Sequence, residues 1–250
     1  MNSATMSRVS SGRCSQTSHA AYDRRVLNGI FWVLRSGAPW RDLPKGCGPH
    51  TTCDNRFVRW RRAGVWDRIM EALTVSHDTA VQMIDTSIVR VHQHGACIAG
   101  NKQQDMGRSR GGLTSKIHAV VDADGLPVRL GLTPGEAHDN RLCSVLLAEL
   151  QPRTTLLADR GYDADCADWI REFARQKGAW ANIPPKRNRI EPICFSAYLY
   201  RARNLVERFF NKIKQCRRVA TRYDKLAANY LVFIKLASIR LWLRTYESTP

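Results

Sequence analysis

Val26, Leu27, Ile30, Phe31 and Leu34 recur at steps of three and four, the period of a helix with one apolar face. The run Gly37-Ala-Pro-Trp-Arg-Asp-Leu-Pro44 carries two prolines and a glycine and ends that helix. A second helical pattern holds Phe57, Val58, Arg61 and Arg62, and Gly64 separates it from a third over residues 67–73. Three short helices, basic and aromatic, form a compact helical head over residues 23–75. Such a head resembles a helix-turn-helix DNA reader and equally fits a brace for a neighbouring domain. Residues 1–22 are rich in Ser, Thr and Ala with little periodicity, and read as disordered or foreign to the fold.

From residue 80 the period shifts toward two. Residues 81–91 read as a strand, 92–112 as a polar, glycine-rich mobile loop, and 115–121 with 126–132 as a hairpin around Asp122-Ala-Asp-Gly125. A helix over 140–150, a short apolar strand over 154–158, a helix over 163–177 and a strand over 179–183 follow. Pro184-Pro185 stops that strand, and two helices close the chain, the second over 226–243. Strands alternating with helices in this order predict an α/β domain with a mixed sheet over residues 80–245.

The pattern sets three carboxylates at informative places. Asp85 lies mid-strand in Met-Ile-Asp-Thr-Ser, where an unpaired charge is costly to bury. It therefore needs a base, hydrogen bonds or a metal. Asp159 ends the apolar strand Leu-Leu-Ala-Asp, at the edge where open α/β sheets bind ligands; a turn or cap role fits it as well. Glu207 belongs to Tyr200-x2-Arg203-x3-Glu207-x6-Lys214, four residues that span about 60° of arc on one helix. Ala202, Val206, Phe209, Phe210 and Ile213 form the apolar face beside them. By itself such a stripe also fits a solvated charged surface. Two aspartates on strands and a glutamate on a helix make an oxygen-only donor set, suited to Mg2+ or Mn2+ rather than zinc. Two such ions about 4 Å apart serve phosphoryl transfer.

Charge sharpens this reading. Lys+Arg number 39 against 22 acidic residues, a formal +17, which points to a polyanion and first to nucleic acid. Residues 186–225 hold twelve Lys/Arg against Glu191, Glu207 and Asp224, so Arg208, Arg217 and Arg218 join Tyr200, Arg203 and Lys214 as candidate DNA contacts. The 8 cysteines contain no Cys-x2-Cys pair, which excludes a zinc ribbon and reads as reduced thiols in the cytoplasm, where the nucleoid lies. No apolar run reaches the ~18 residues of a membrane span, and no Gly-x4-Gly-Lys-Ser/Thr loop marks a nucleotide-driven motor. His92 and His94 read as a solvent-exposed loop, and His138 as a residue near the site or a turn cap.

The segments Val-Gln-Met-Ile-Asp85-Thr-Ser, Gly-Gly-Leu-Thr-Ser-Lys-Ile-His-Ala-Val-Val-Asp122, Thr-Pro-Gly-Glu-Ala-His138-Asp139, Leu-Ala-Asp159-Arg-Gly-Tyr-Asp and the Tyr-Arg-Glu-Lys helix together resemble a DDE transposase, of the bacterial insertion-sequence IS-five type. The resemblance implies a ribonuclease H-like catalytic core behind an all-helical DNA-binding region. It implies Asp85, Asp159 and Glu207 as the ligands of two divalent ions, with Tyr200, Arg203 and Lys214 as accessory positions on the glutamate helix. Its implied partners are double-stranded DNA, as terminal inverted repeats and target, and a second copy of the chain. Residues 1–22 lack the leading helix and basic, proline-containing linker that open members of this family, and read as a replaced or truncated start. A structure-specific nuclease on the same fold, or a decayed transposase that only binds DNA, are the rival readings.

Overall fold

A computed structural model describes residues 12–75, 77–96, 102–163 and 169–247. The helical head is α1 (Gly12–Ser36), α2 (His50–Arg62) and α3 (Val65–Thr74). The helix predicted from residue 23 therefore starts at Gly12, and residues 12–22 continue it rather than standing outside the fold. Residues 1–11 lie outside the described residues. Gly37 ends α1 with φ +71°, a left-handed conformation that favours glycine, and its amide donates to the Val33 carbonyl at 2.9 Å. A methyl group there would also stand 2.9 Å from the Arg217 β-carbon.

The remaining elements are β1 (Val81–Val91), β2 (Gly107–Ser109), β3 (Gly112–Val121), β4 (Pro127–Pro134), α4 (Cys143–Leu146), β5 (Thr155–Leu157), α5 (Trp169–Gln176), β6 (Trp180–Asn182), α6 (Ala197–Tyr200), α7 (Asn204–Lys214), α8 (Arg217–Ala220), β7 (Thr221–Arg222) and α9 (Ala227–Glu247). In the sheet, β4, β3 and β1 run as an antiparallel meander, and β5 and β6 continue it parallel to β1. This is the expected ribonuclease H-like mixed sheet. The stretch read as a loop contributes β2, which pairs with β3. The helix read over 140–150 is only a 3-10 turn followed by α4.

The two faces of the sheet build two apolar layers. Met83, Ala119 and Leu157 point toward α7, α9 and the helical head, and Ile84, Val120 and Leu156 toward α4 and α5. The head shares the first layer rather than owning a core. Phe57 of α2 stacks on Phe233 of α9 with ring centroids 4.6 Å apart, and Trp40 lies against both rings. Such sharing makes the head and the sheet one cooperative unit. Truncating Phe233, which is fully buried, to Ala should cost about 3–5 kcal/mol. Urea unfolding followed by tryptophan fluorescence, to which Trp32, Trp40, Trp60 and Trp66 of the head contribute four of the 7 tryptophans, and by far-UV circular dichroism should then shift together; separate transitions would contradict a shared core.

The second layer carries an unusual polar pair. His118, fully buried on β3, contacts the Thr133 hydroxyl at 2.8 Å. Burial, aided by the charge of Lys116, pulls its pKa down to about 4. Its ordinary value is near 6.5, so on acidification the unfolded chain takes up the proton first. The stability contributed by the neutral ring is complete above pH ~6.5 and is lost as pH falls toward 4. Between pH 7 and 5 this group should remove about 2 kcal/mol. Denaturant midpoints at the two pH values should show that loss in the wild type and a smaller one in His118→Gln; equal losses would refute the assignment.

Candidate active site

Parallel register brings the first two carboxylates together. Met83 of β1 stands beside Leu157 of β5. Two residues further on lie Asp85, still within β1, and Asp159, in the turn just past the end of β5, near enough for the Asp159 charge to act on Asp85. Alternation along β1 puts Asp85 on the Met83 face, the face against which α7 packs. Pairing with β5 stops at Met83, and β7 takes up the same edge of β1 only at Arg90. Between them, among the described residues, the edge of β1 carries no ladder partner, and Asp85 lies at the mouth of that gap.

Glu207 arrives from α7, whose apolar stripe of Val206, Phe209, Phe210 and Ile213 is buried. Arg203 joins the two halves. Its Nη1 donates to Asp85 Oδ2 at 2.7 Å and its Nη2 to Glu207 Oε1. Asp85 also accepts the Thr86 amide at 2.7 Å, and Asp159 accepts the Gly161 amide at 2.8 Å as the cap of a short turn. Burial raises the Asp85 pKa to about 6; the Thr86 amide and Arg203 oppose that rise, and the charges of Asp159 and Glu207 add to it. Burial works against the Arg203 charge, but Asp85, Glu207 and Asp159 hold its pKa above the ordinary value. The donors are all oxygen, the chemistry of a hard-cation site. Here the Arg203 guanidinium stands between Asp85 and Glu207, and among the described residues no three acidic, His or Cys side chains converge on one ion position.

The other accessory residues divide. Tyr200 ends α6, and a 3-10 turn separates it from α7, so the stripe bends instead of following one α-helix. Its ring lies 5.6 Å from the Arg203 guanidinium and edge-on to Phe195. Lys214 turns inward: its Nζ donates to Ser87 Oγ at 2.6 Å and to the Ile88 carbonyl at 3.3 Å, tying the end of α7 to β1. Arg208 and Arg217 are exposed. Arg218 is buried: its guanidinium pairs with both Asp224 oxygens at 3.0 Å and lies over Tyr223 and Phe233. That corrects its place among the DNA contacts, because a side chain with both faces and both edges occupied by protein has nothing left for a phosphate. Arg222, fully buried against Ser115 and the Asp224 carbonyl, is likewise part of the framework.

Sequence reasoning missed the layer behind the carboxylates. Thr86 faces away from Asp85, and its hydroxyl donates to Asp139 Oδ1 at 2.7 Å. Lys116 Nζ reaches the same oxygen at 2.7 Å and the Ala137 carbonyl at 2.5 Å. The signal lies in Ser-Lys-Ile-His and His138-Asp139, where a lysine and an aspartate sit among strand and turn residues far apart in sequence. His138 itself is exposed and caps a turn by accepting the Asn140 amide at 3.3 Å. His92 caps another turn through the His94 amide, with its ring against Tyr223, and joins no ligand cluster among the described residues.

Family models match most of the chain. The family model for the transposase DDE domain matches residues 76–242, and that for a transposase of the IS4/5 family matches residues 6–70. The second match begins inside the stretch read as a replaced start, so that reading is withdrawn for the residues from 6 onward. A Brucella ovis protein described as a transposase for insertion sequence element IS6501 is 38% identical over 132 residues, 53% of this chain and 100% of that protein. The transposase of element IS1106 from Neisseria meningitidis serogroup B is 34% identical over 108 residues, 39% of this chain and 35% of that protein. Among solved structures, the piggyBac transposase in a synaptic complex with hairpin DNA is 10% identical, with 82% of this chain and 56% of that one covered at a TM-score of 0.47. The matched DDE domain spans the whole sheet and every carboxylate of the site, and the chain belongs to the DDE transposase family of bacterial insertion sequences.

Proposed function

We propose that the protein cuts DNA at the ends of an insertion sequence and joins the freed ends to target DNA, with Asp85, Asp159 and Glu207 holding two Mg2+ or Mn2+ ions. The observation that supports this is the coupling of the three carboxylates: Arg203 donates to Asp85 and Glu207, and the charges of Asp159 and Glu207 both act on Asp85. When bound, the ions activate the attacking oxygen and stabilise the leaving one. The protein's own part is to gather like charges and place the phosphodiester. Arg203 holds Asp85 and Glu207 together in the absence of substrate, and with DNA bound its fork turns to a phosphate, for which its five donors are suited. Tyr200 stacks beside it at the same strand. Lys214 stays on β1 and keeps α7 at its distance from Asp85.

Exposed cations supply the DNA surface. Arg208 and Arg217 lie on the outer side of α7 and α8. Arg35, Lys212, Arg240 and Arg244 line one cleft between α1, α7 and α9. Joining two ends requires two active sites, so a dimer on paired inverted repeats is part of the proposal. Among the described residues no helix is long and apolar enough to cross a membrane, and the proposed place of action is the nucleoid.

Glu207→Gln should abolish Mg2+-dependent nicking of an end-bearing duplex while leaving its binding within about twofold. Nicking at the wild-type rate by that variant would sink the ligand assignment, and nicking without any strand-transfer product would favour a nuclease. Arg208→Ala should lower DNA affinity and reduce the slope of log K against log salt by about 1. Arg218→Met should instead strip Asp224 of its partner and cost about 3–5 kcal/mol of stability, with little change in the DNA affinity of the folded fraction; the reverse pattern would return Arg218 to the DNA surface.

A further inference from the structure

Three strands of chain meet behind the carboxylates at a single oxygen. Thr86 belongs to β1, Lys116 to β3, and Asp139 to the turn that follows β4. Asp139 Oδ1 accepts from both of the others at 2.7 Å. The Lys116 side chain is 8% exposed and the Asp139 side chain 34%. Burial alone would raise the Asp139 pKa, but hydrogen bonds from Lys116 and Thr86 hold it below the ordinary value. The second oxygen points at the Asp159 turn: a methyl group on Gly161 would stand 3.5 Å from Asp139 Oδ2 and 3.0 Å from Asp159 Oδ1. Gly161 is also the residue whose amide caps Asp159. The cluster therefore touches the backbone of Asp85 on one side, through its neighbour Thr86, and the turn of Asp159 on the other.

We propose that Asp139, Lys116 and Thr86 are positioning residues for the reaction, a clamp on the far face of the sheet that fixes Asp85 and Asp159 at the spacing two shared ions require. Three features support this over a core ion pair. A lysine and a carboxylate in a layer that holds Ile84, Val120, Cys143 and Leu146 are a costly way to fill space. Thr86 lies inside the stretch from Ile84 to Val89 where, among the described residues, β1 has no ladder partner on that edge, so its anchor acts where the sheet itself does not hold Asp85. Tyr162, buried beside the same charges, leaves its hydroxyl without a partner among the described residues, so no neighbour there substitutes for the clamp. The inference rests on the proposed function for its meaning, and its test has a readout that does not.

Thr86→Val removes only the hydroxyl donor and keeps the shape of the side chain. It should leave the melting temperature and DNA affinity near wild type, while calorimetric Mn2+ affinity and the nicking rate constant each fall about 10–100-fold; Thr86→Ser should restore both. Lys116→Met with Asp139→Leu removes both buried charges together. That double variant should melt at or above the temperature of either single variant, because no unpaired charge is left buried, and still show the loss of Mn2+ affinity. A Thr86→Val protein with wild-type Mn2+ affinity overturns the clamp, as does a double variant that binds Mn2+ like the wild type. Should the double variant not fold, the Thr86 series decides alone. A wild-type protein that binds Mn2+ but never nicks an end-bearing duplex refutes the proposed function and leaves the clamp standing.

Discussion

Like charges repel, and this fold brings three carboxylates to one end of one sheet. Everything around them answers that constraint. Asp85 on β1 and Asp159 in the turn after the neighbouring β5 come close together, and the cost appears in the raised pKa of Asp85, driven first by burial and then by its two acidic neighbours. Arg203 offsets part of it by donating to Asp85 and Glu207 at once. A guanidinium is suited to this because it cannot lose its proton in a protein and its fork spans two acceptors. On the proposed function the same property would make it exchangeable: Asp85 and Glu207 would hold a divalent cation in its place, and Arg203 would be free for a phosphate.

The site is held from both faces of the sheet. On the front, Lys214 fastens the far end of α7 to Ser87 and Ile88, two and three residues beyond Asp85. On the back, Asp139 gathers Thr86 and Lys116. The helical head adds to the front layer through the Phe57–Phe233 stack, so residues that sequence reading assigned to DNA recognition also brace the helix bundle under Glu207. The helical head and the carboxylate site share one apolar layer, and disturbance of one reaches the other through packing.

Local pattern revealed much of this, and long-range pairing revealed little. Alternation placed Asp85 in a strand, an apolar run placed Asp159 at a strand tip, and 3.6-residue spacing put Arg203 one turn from Glu207. Each depends on neighbours in sequence. The Thr86–Asp139 and Lys116–Asp139 contacts join residues on three separate elements, and only the sheet register reveals them. Charge misled where burial decides its role: Arg218 and Arg222 counted toward a basic stripe but serve the framework. Composition misled at the start of the chain, where a Ser- and Ala-rich stretch continues α1 back to Gly12. The helix expected over 140–150 is short because the chain there first tightens into the turn that carries Asp139.

The central claim is that Asp85, Asp159 and Glu207 form one divalent-cation site that Arg203 keeps closed. Anomalous scattering from crystals soaked in Mn2+ tests it most directly. The account predicts a peak among the three carboxylates, with the Arg203 side chain turned away from Asp85 and Glu207. A peak elsewhere, or none while crystals remain ordered and Arg203 still bridges the pair, would contradict it.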